Sequence, residues 1–108
     1  MKGGTDLAAT QETIMRRIGR LASDYRRRGY EVVRDVAFED GLRADLRVKK
    51  DDKTIVIAVK TLETLRQEGS PGTLELARHL KGVPDIRFDL VMTASHRKRR
   101  VGRPRARS

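Results

Sequence analysis

The stretch RADLRVKKDDKTIVIAVKT, residues 43–61, decides the fold. From Leu42 to Lys49 apolar and polar residues alternate, which predicts a strand with one apolar and one polar face. Its apolar side is Leu42, Ala44, Leu46 and Val48, and its polar side is Arg43, Asp45, Arg47 and Lys49. Residues 54–61 are predicted to form a further strand, which is apolar on both faces from Ile55 to Val59, as is typical of a central strand. The polar residues 50–53 between them predict a hairpin turn.

This hairpin predicts which residues stand opposite each other. If the turn centres on Asp51 and Asp52, facing residues have numbers that add to about 103, by antiparallel pairing. Asp45 then faces position 58, and Lys60 lies one step further along the same face. A carboxylate and an amine are therefore expected near each other on the sheet.

The flanking segments predict a fold of class α/β with the element order α-β-β-β-α-β. A helical apolar stripe predicts a first helix that is N-capped by Thr10 and followed by Gly29. Residues 30–38 and 86–93 read as strands, residues 62–73 as mostly loop, and residues 73–81 as a second helix with Leu74, Ala77 and Leu80 inward. The domain organisation expected is a flexible lead-in (1–9), one domain (10–94) and a disordered basic tail (95–108).

The charge of the chain is concentrated at its C-terminal end. The chain has 25 basic and 15 acidic residues and a formal net charge of +10. Seven of the cations lie after His96 with no acid among them, which leaves residues 1–95 with 18 basic and 15 acidic groups, a net charge of +3. A polyanion is the natural partner for such a tail, so we expect nucleic acid.

Composition excludes several other classes. The chain has no cysteine, which excludes disulfides and thiolate metal sites. No apolar run approaches the roughly 20 residues that a membrane helix needs, and residues 1–9 do not resemble a signal peptide. We therefore expect a cytoplasmic, nucleic-acid-associated protein with no membrane partner. A homodimer is left open, because so short a chain buries a small core.

Three segments together resemble a known family. The hairpin 43–61, the opening RLASDYRRRGYEVV and the closing LARHLKGVPDIRFDLVMT are similar to the PD-(D/E)XK nuclease superfamily, and to a small bacterial restriction-endonuclease-like domain within it. The resemblance covers about residues 10–94. It implies a restriction-endonuclease-like core with a mixed central sheet.

The resemblance also implies roles for individual residues. Asp45 matches the metal-binding Asp of the motif and Lys60 its Lys, while the carbonyl of Val59 would join the shell of a Mg²⁺ ion. Glu12 lies where many members carry a supporting glutamate. Such a site offsets the charge that develops on phosphodiester oxygens during cleavage.

The chain departs from the motif at its second acid, because position 58 is Ala58. Some members of the superfamily supply this acid from the following helix, and Glu75 lies at about that distance. Glu63 and Glu68 are less favoured. The resemblance thus implies catalytic residues Asp45, Lys60, Glu12 and Glu75, and metal ligands Asp45, Val59 and Glu75. Mg²⁺ is expected only if the enzyme is active.

Each of these residues also has a plain structural interpretation. Asp45 could be a solvated residue on a polar strand face, and Lys60 a charge at the end of an apolar strand. Glu12 suits the positive end of a helix, and Glu75 an exposed helical surface. These interpretations stay open at the level of the sequence.

The tail RKRRVGRPRAR resembles an AT-hook. Its Gly-Arg-Pro run matches the core that lies in the narrow minor groove of A·T-rich DNA. Val101 replaces the first arginine of that core, so the match is partial, and a generic polybasic tail is the alternative. The DNA-binding residues expected are Arg97, Lys98, Arg99, Arg100, Gly102, Arg103, Pro104, Arg105 and Arg107.

Three functions follow from these observations. The leading hypothesis is a DNA-binding protein with a nuclease-like fold that has lost metal-dependent cleavage through Ala58. The first alternative is an active Mg²⁺-dependent endonuclease in which Glu75 or Glu12 replaces the missing acid. The second is a protein-interaction module without enzymatic activity, since a fold does not fix a function.

Overall fold

The structure is a computed structural model that describes residues 2–94. It contains the helices α1 (Lys2–Arg27), α2 (Leu62–Gln67) and α3 (Thr73–Lys81), a short 3-10 turn (Glu39–Gly41) and the strands β1 (Glu31–Ala37), β2 (Arg43–Lys50), β3 (Lys53–Lys60) and β4 (Ile86–Met92). The predicted order α-β-β-β-α-β is therefore confirmed, with α2 as an addition. None of the described helices is long and apolar enough to cross a membrane.

Helix α1 begins earlier than the sequence predicts. It starts at Lys2, so Thr10 is a buried residue inside the helix and not its N-cap, and residues 2–9 of the expected lead-in are helical. The C-terminal end follows the prediction. Gly29 has a φ of 91°, its N–H donates to the carbonyl of Arg26, and the N–H of Tyr30 donates to the carbonyl of Tyr25. This is a Schellman motif, which satisfies carbonyls that the helix end leaves free.

The four strands form one mixed sheet in the order β1-β2-β3-β4. The first three strands are antiparallel neighbours, and β4 pairs with β3 in parallel. The interior position of β3 is the one that its continuous apolar run predicts. A parallel pair needs a long crossover, and residues 61–85 supply it through α2 and α3.

Two hydrophobic clusters cover the two faces of the sheet. In β3, Ile55 and Ile57 belong to one cluster and Val56 to the other, because successive side chains of a strand point to opposite faces. Helix α1 covers the first face through Ile18 and Ala22, and α3 covers the second through Leu76 and Leu80. The molecule is thus a sheet between two helical layers.

Strands β1 and β2 exchange faces at Asp35 and Asp45. Ala44 belongs to the α3-side cluster and Leu46 to the α1-side cluster, although regular alternation would put them on one face. The register of β1 with β2 has its gap at residues 35 and 45, and Asp35 has a φ of 55°. The prediction that Leu42, Ala44, Leu46 and Val48 share a face is therefore wrong, although all four are buried.

The segment between β3 and α3 is more ordered than predicted. Residues 62–67 form α2, whose N-cap Thr61 is fully buried and accepts a hydrogen bond from the N–H of Thr64 at 3.1 Å. Helix α3 has the predicted bounds but a different apolar face. Leu76 is buried where Leu74 is expected, and Leu74 is 60% exposed.

Candidate functional site

The site lies where β2 and β3 separate. The predicted register is confirmed over five residue pairs, from Lys50 opposite Lys53 to Leu46 opposite Ile57. Beyond that pair the backbone pairing of β2 with β3 stops, and the carboxylate of Asp45 serves as the hydrogen-bond acceptor instead. Asp45 Oδ2 accepts a hydrogen bond from the N–H of Val59 at 2.6 Å. Because Val59 is only 1% exposed, this bond satisfies a buried donor that has no strand partner there.

Asp45 and Lys60 line one cavity, in agreement with the prediction that they lie near each other on the sheet. Its volume is about 260 Å³, and it lies between α1 and the open end of the hairpin. Its lining residues are Gln11, Ile14, Met15, Ile18, Asp45, Val59, Lys60 and Thr64. The wall from α1 is mostly apolar, so the polar groups that could meet a ligand come mainly from the two strand ends.

The ammonium group of Lys60 is paired with Glu68. Lys60 Nζ lies 3.4 Å from Glu68 Oε1, and the two side chains are 27% and 22% exposed. The same carboxylate accepts hydrogen bonds from the N–H and the hydroxyl of Thr73, at 2.8 and 3.0 Å. Thr73 is the first residue of α3, so Glu68 joins Lys60 to the N-terminus of that helix, where a negative charge is favourable. Among the described residues, the ion pair of Lys60 is with Glu68 and not with Asp45.

Position 58 carries a buried methyl group. Ala58 is 2% exposed and pairs with Leu90 of β4, so no carboxylate projects from β3 beside Asp45. Within residues 2–94, no group of three or more His, Cys, Asp or Glu side chains could hold a metal ion. Mg²⁺ is bound by several oxygen ligands in near-octahedral geometry. The described residues therefore do not fit the Mg²⁺ ion that the resemblance implies.

The two glutamates expected to replace the missing acid are directed elsewhere. Glu75 Oε1 accepts a hydrogen bond from the N–H of Gly72 at 2.9 Å, and this bond lowers the pKa of Glu75 below its usual value. Glu75 thus caps the helix to which it belongs. Glu12 is exposed on α1 and lies 3.5 Å from the guanidinium of Arg16. Neither lines the cavity of Asp45 and Lys60, and the catalytic roles of all four residues stay predictions.

Sequence reasoning gives too little weight to Glu68 and does not find Asp35. Glu68 follows a short helix that the Gly69–Gly72 loop signals obscure, so no pattern places it next to Lys60. Asp35 and Asp45 are the two residues skipped between the Arg34–Leu46 and Val36–Ala44 pairs of the β1–β2 register. A positive φ at a non-glycine residue is not marked by sequence, although Asp tolerates it better than most residues do. The capping pattern of Thr61 and Thr64 is the available signal for α2.

The residues expected to bind DNA through the tail lie outside the described residues. These are Arg97, Lys98, Arg99, Arg100, Gly102, Arg103, Pro104, Arg105 and Arg107. Their assignment rests on the sequence alone.

Comparison with known proteins agrees with the fold. The sequence profile of the AHJR-like family, described as REase_AHJR-like, matches residues 6–107 of the 108. No curated protein sequence matches the chain. The profile covers the sheet, the helices and most of the basic tail, and the mixed α/β architecture is the one expected for a restriction-endonuclease-like fold. The chain belongs to the AHJR-like family of restriction-endonuclease-like proteins.

Proposed function

We propose that this protein binds DNA through its nuclease-like fold and does not cleave it by a metal-dependent reaction. The observation that carries the proposal is the methyl group of Ala58, which stands on β3 at the position of the motif's second acid, next to Asp45. A nuclease of this kind needs oxygen ligands that hold a cation against the phosphodiester. Here the carboxylate of Asp45 is bonded to Val59, Glu75 caps α3, and Glu12 pairs with Arg16 on the exposed face of α1.

The remaining polar groups of the site suit binding better than catalysis. Lys60 presents an ammonium group at the open end of the hairpin, and Glu68 fixes its position. Although Glu68 offsets its charge, an ammonium group held in this way can donate a hydrogen bond to a phosphate oxygen, whether or not a bond is broken. Asp45 then has a structural role, because it accepts a hydrogen bond from the backbone of β3 where β2 separates from it.

The charge distribution of the whole chain supports DNA as the partner. The net charge is +10, and seven cations without a neighbouring acid follow His96. Neutralisation of phosphates by such residues releases counterions and drives association. The Gly102-Arg103-Pro104 run adds a preference for the minor groove of A·T-rich DNA. A homodimer stays a prediction from chain length.

A second candidate function is metal-dependent cleavage of DNA. The contact between Glu68 and Lys60 favours it, because it brings a carboxylate to the lysine of the motif. In the described structure that carboxylate also binds Thr73, so it would have to release the N-terminus of α3 to serve another role.

The deciding experiment measures binding and cleavage on the same DNA. Purified full-length protein is titrated into a labelled duplex, followed by fluorescence anisotropy, and is then incubated with supercoiled plasmid in Mg²⁺ or Mn²⁺. We expect binding without nicking. Cleavage that Asp45→Ala and Lys60→Ala both abolish would establish the second candidate. Absence of DNA binding at low salt would favour a protein-interaction module.

A further inference from the structure

A second cleft lies at the opposite end of the sheet from Asp45. Its volume is about 700 Å³, and it is bounded by the end of α1, the β2–β3 turn and the beginning of β4. Its lining residues are Tyr25, Arg28, Tyr30, Asp52, Lys53, Thr54, Ile55, Asp85, Ile86 and Arg87. Unlike the cavity of Asp45, it gathers cations and aromatic rings, and neither the family resemblance nor the proposed site uses it.

Two aromatic rings hold Arg28, one of the cations of this cleft, in place. The guanidinium of Arg28 lies over the rings of Tyr25 and Tyr30, at 4.7 and 5.5 Å from their centroids. The two rings pack edge to face, with centroids 5.0 Å apart. A guanidinium stacked on a ring keeps its N–H groups at its perimeter, where they remain available to an anion. The stacking therefore reduces the entropy that Arg28 would lose when it binds a phosphate.

A neighbouring lysine adds a further fixed charge. Lys50 Nζ donates a hydrogen bond to the carbonyl of Arg28 at 2.8 Å and lies 5.6 Å from the ring centroid of Tyr30. This contact joins the β2–β3 turn to the end of α1 and brings two cations to one pair of rings. Cations at a helix C-terminus are also stabilised by the helix dipole, which makes the cluster compatible with a stable fold.

The charge balance of the cleft selects an anionic ligand of modest charge density. Arg28, Lys53 and Arg87 line it together with the acids Asp52 and Asp85, and Lys50 adjoins it. Arg87 is already bonded to Asp89, whose carboxylate accepts from its Nε at 3.0 Å. Counting Lys50 and Asp89, four cations face three acids, and this excess of one positive charge fits a phosphodiester, which carries one negative charge per group, better than a multiply charged terminal phosphate.

The cleft lies on the same side of the sheet as the cavity of Asp45. Residues 14–18 of α1 line the one and residues 25–28 the other. Along β3, the cleft and the cavity are roughly 13 Å apart, from Ile55 to Val59, by the rise of a strand. Along α1 they are about 20 Å apart, from residue 14 to residue 28, by the rise of a helix. A DNA strand advances about 3.4 Å per base along the duplex. Both sites could therefore contact one duplex about four to six base steps apart.

We propose that the Tyr25–Arg28–Lys53–Arg87 cleft binds the phosphodiester backbone of DNA as a second contact, away from the Asp45–Lys60 site. The inference rests on the proposed DNA binding and adds a site to it. Phosphate contacts of this kind fix the register of a protein on the duplex but carry no sequence information. The cleft thus orients the DNA relative to Lys60 and leaves any sequence preference to other parts of the chain.

The tyrosines provide a direct test. The chain has two tyrosines, and both line the cleft. Full-length protein labelled with 3-fluorotyrosine gives two ¹⁹F resonances, which are followed while a short duplex is added to saturation. We expect both resonances to shift with the same midpoint as the anisotropy of the labelled duplex. Resonances that stay unmoved while anisotropy shows saturation would overturn the cleft proposal and leave the proposed function intact. Absence of any binding would overturn both.

Paired charge variants give an independent readout. We expect Arg28→Ala with Lys53→Ala to weaken duplex binding and to lower the slope of log K against log salt by about 0.9 for each phosphate that is no longer neutralised. The matched control is Arg78→Ala with Lys81→Ala, which removes the same charge from α3 on the other side of the sheet. Equal weakening of binding in the two double variants would contradict a local site. If the first variant is unstable by circular dichroism, Lys53→Ala alone, at the exposed start of β3, gives the same comparison with Lys81→Ala.

Discussion

Asp45 contributes both to the fold and to the candidate site. Its carboxylate replaces a backbone partner for Val59 at the point where β2 leaves β3, and its neighbours Ala44 and Leu46 belong to opposite faces of the sheet. Period-2 alternation predicts its register with position 58. The exchange of faces could not be predicted in this way, because it depends on the backbone of Asp35 across the sheet, which has a positive φ.

We expect Asp45→Ala to destabilise the protein more than Asp45→Asn. Alanine leaves the buried N–H of Val59 without an acceptor, which costs about 1–3 kcal/mol. Asparagine keeps an acceptor oxygen of the same size and should recover most of that stability. The measurement is urea unfolding followed by circular dichroism. Equal destabilisation by the two substitutions would show that the hydrogen bond to Val59 does not stabilise β3.

At the scale of elements, local signals predict the ends of some segments well and of others poorly. The bounds of α3 and the end of α1 at Gly29 follow from capping and glycine signals that act over a few residues. Helix α2 is not predicted because the Gly and Pro residues after it dominate the pattern. The inward face of α3 differs from the prediction because Leu74 and Leu76 both fit an apolar stripe, and only packing against the sheet decides between them.

The two glycines at Gly19 and Gly29 should respond to alanine in opposite ways. Gly29 has a φ of 91°, a conformation that costs an L-residue about 1–2 kcal/mol, so Gly29→Ala should destabilise the protein. Gly19 lies inside α1 and a Cβ there would meet nothing within 4 Å, so Gly19→Ala should stabilise it by about 0.5–1 kcal/mol. Thermal unfolding of the two variants checks both signs. Destabilisation by Gly19→Ala would contradict the assignment of residue 19 to an open helix face.

At the scale of the whole molecule, the protein combines a weakly charged body with a strongly basic tail. The body carries a restriction-endonuclease-like sheet, in which Asp45 and Lys60 match the nuclease motif by resemblance and Ala58 stands where the motif has its second acid. The class of fold could be predicted because the order of segments and the register of one hairpin define it. The ion pair of Lys60 with Glu68 could not, because residues eight apart meet there through a loop that has no regular period.

We expect Arg103 to contribute more than the other arginines of the tail to discrimination between A·T-rich and G·C-rich DNA. We expect Arg103→Ala to reduce the ratio of affinities for A·T-rich and G·C-rich duplexes, because an arginine in a narrow minor groove reads groove shape. Arg97→Ala, the matched control outside the Gly102-Arg103-Pro104 run, should weaken binding to both duplexes alike. Anisotropy titrations at one fixed salt concentration make the comparison. An equal ratio in the two variants would indicate a generic polybasic tail.

The sign of the effect of Asp45→Asn on DNA affinity tests the central claim most directly. If DNA binds at this site without a metal, as proposed, the negative charge of Asp45 lies close to the bound phosphates. Its removal should then strengthen binding to a duplex by the same factor in Mg²⁺ and in EDTA. The anisotropy titration is made with unsubstituted protein and the variant in both buffers. Tighter binding by the variant in both is the result predicted here. Weaker binding by the variant in Mg²⁺ alone would mean that Asp45 holds the metal, and would contradict the claim that the site binds DNA without it.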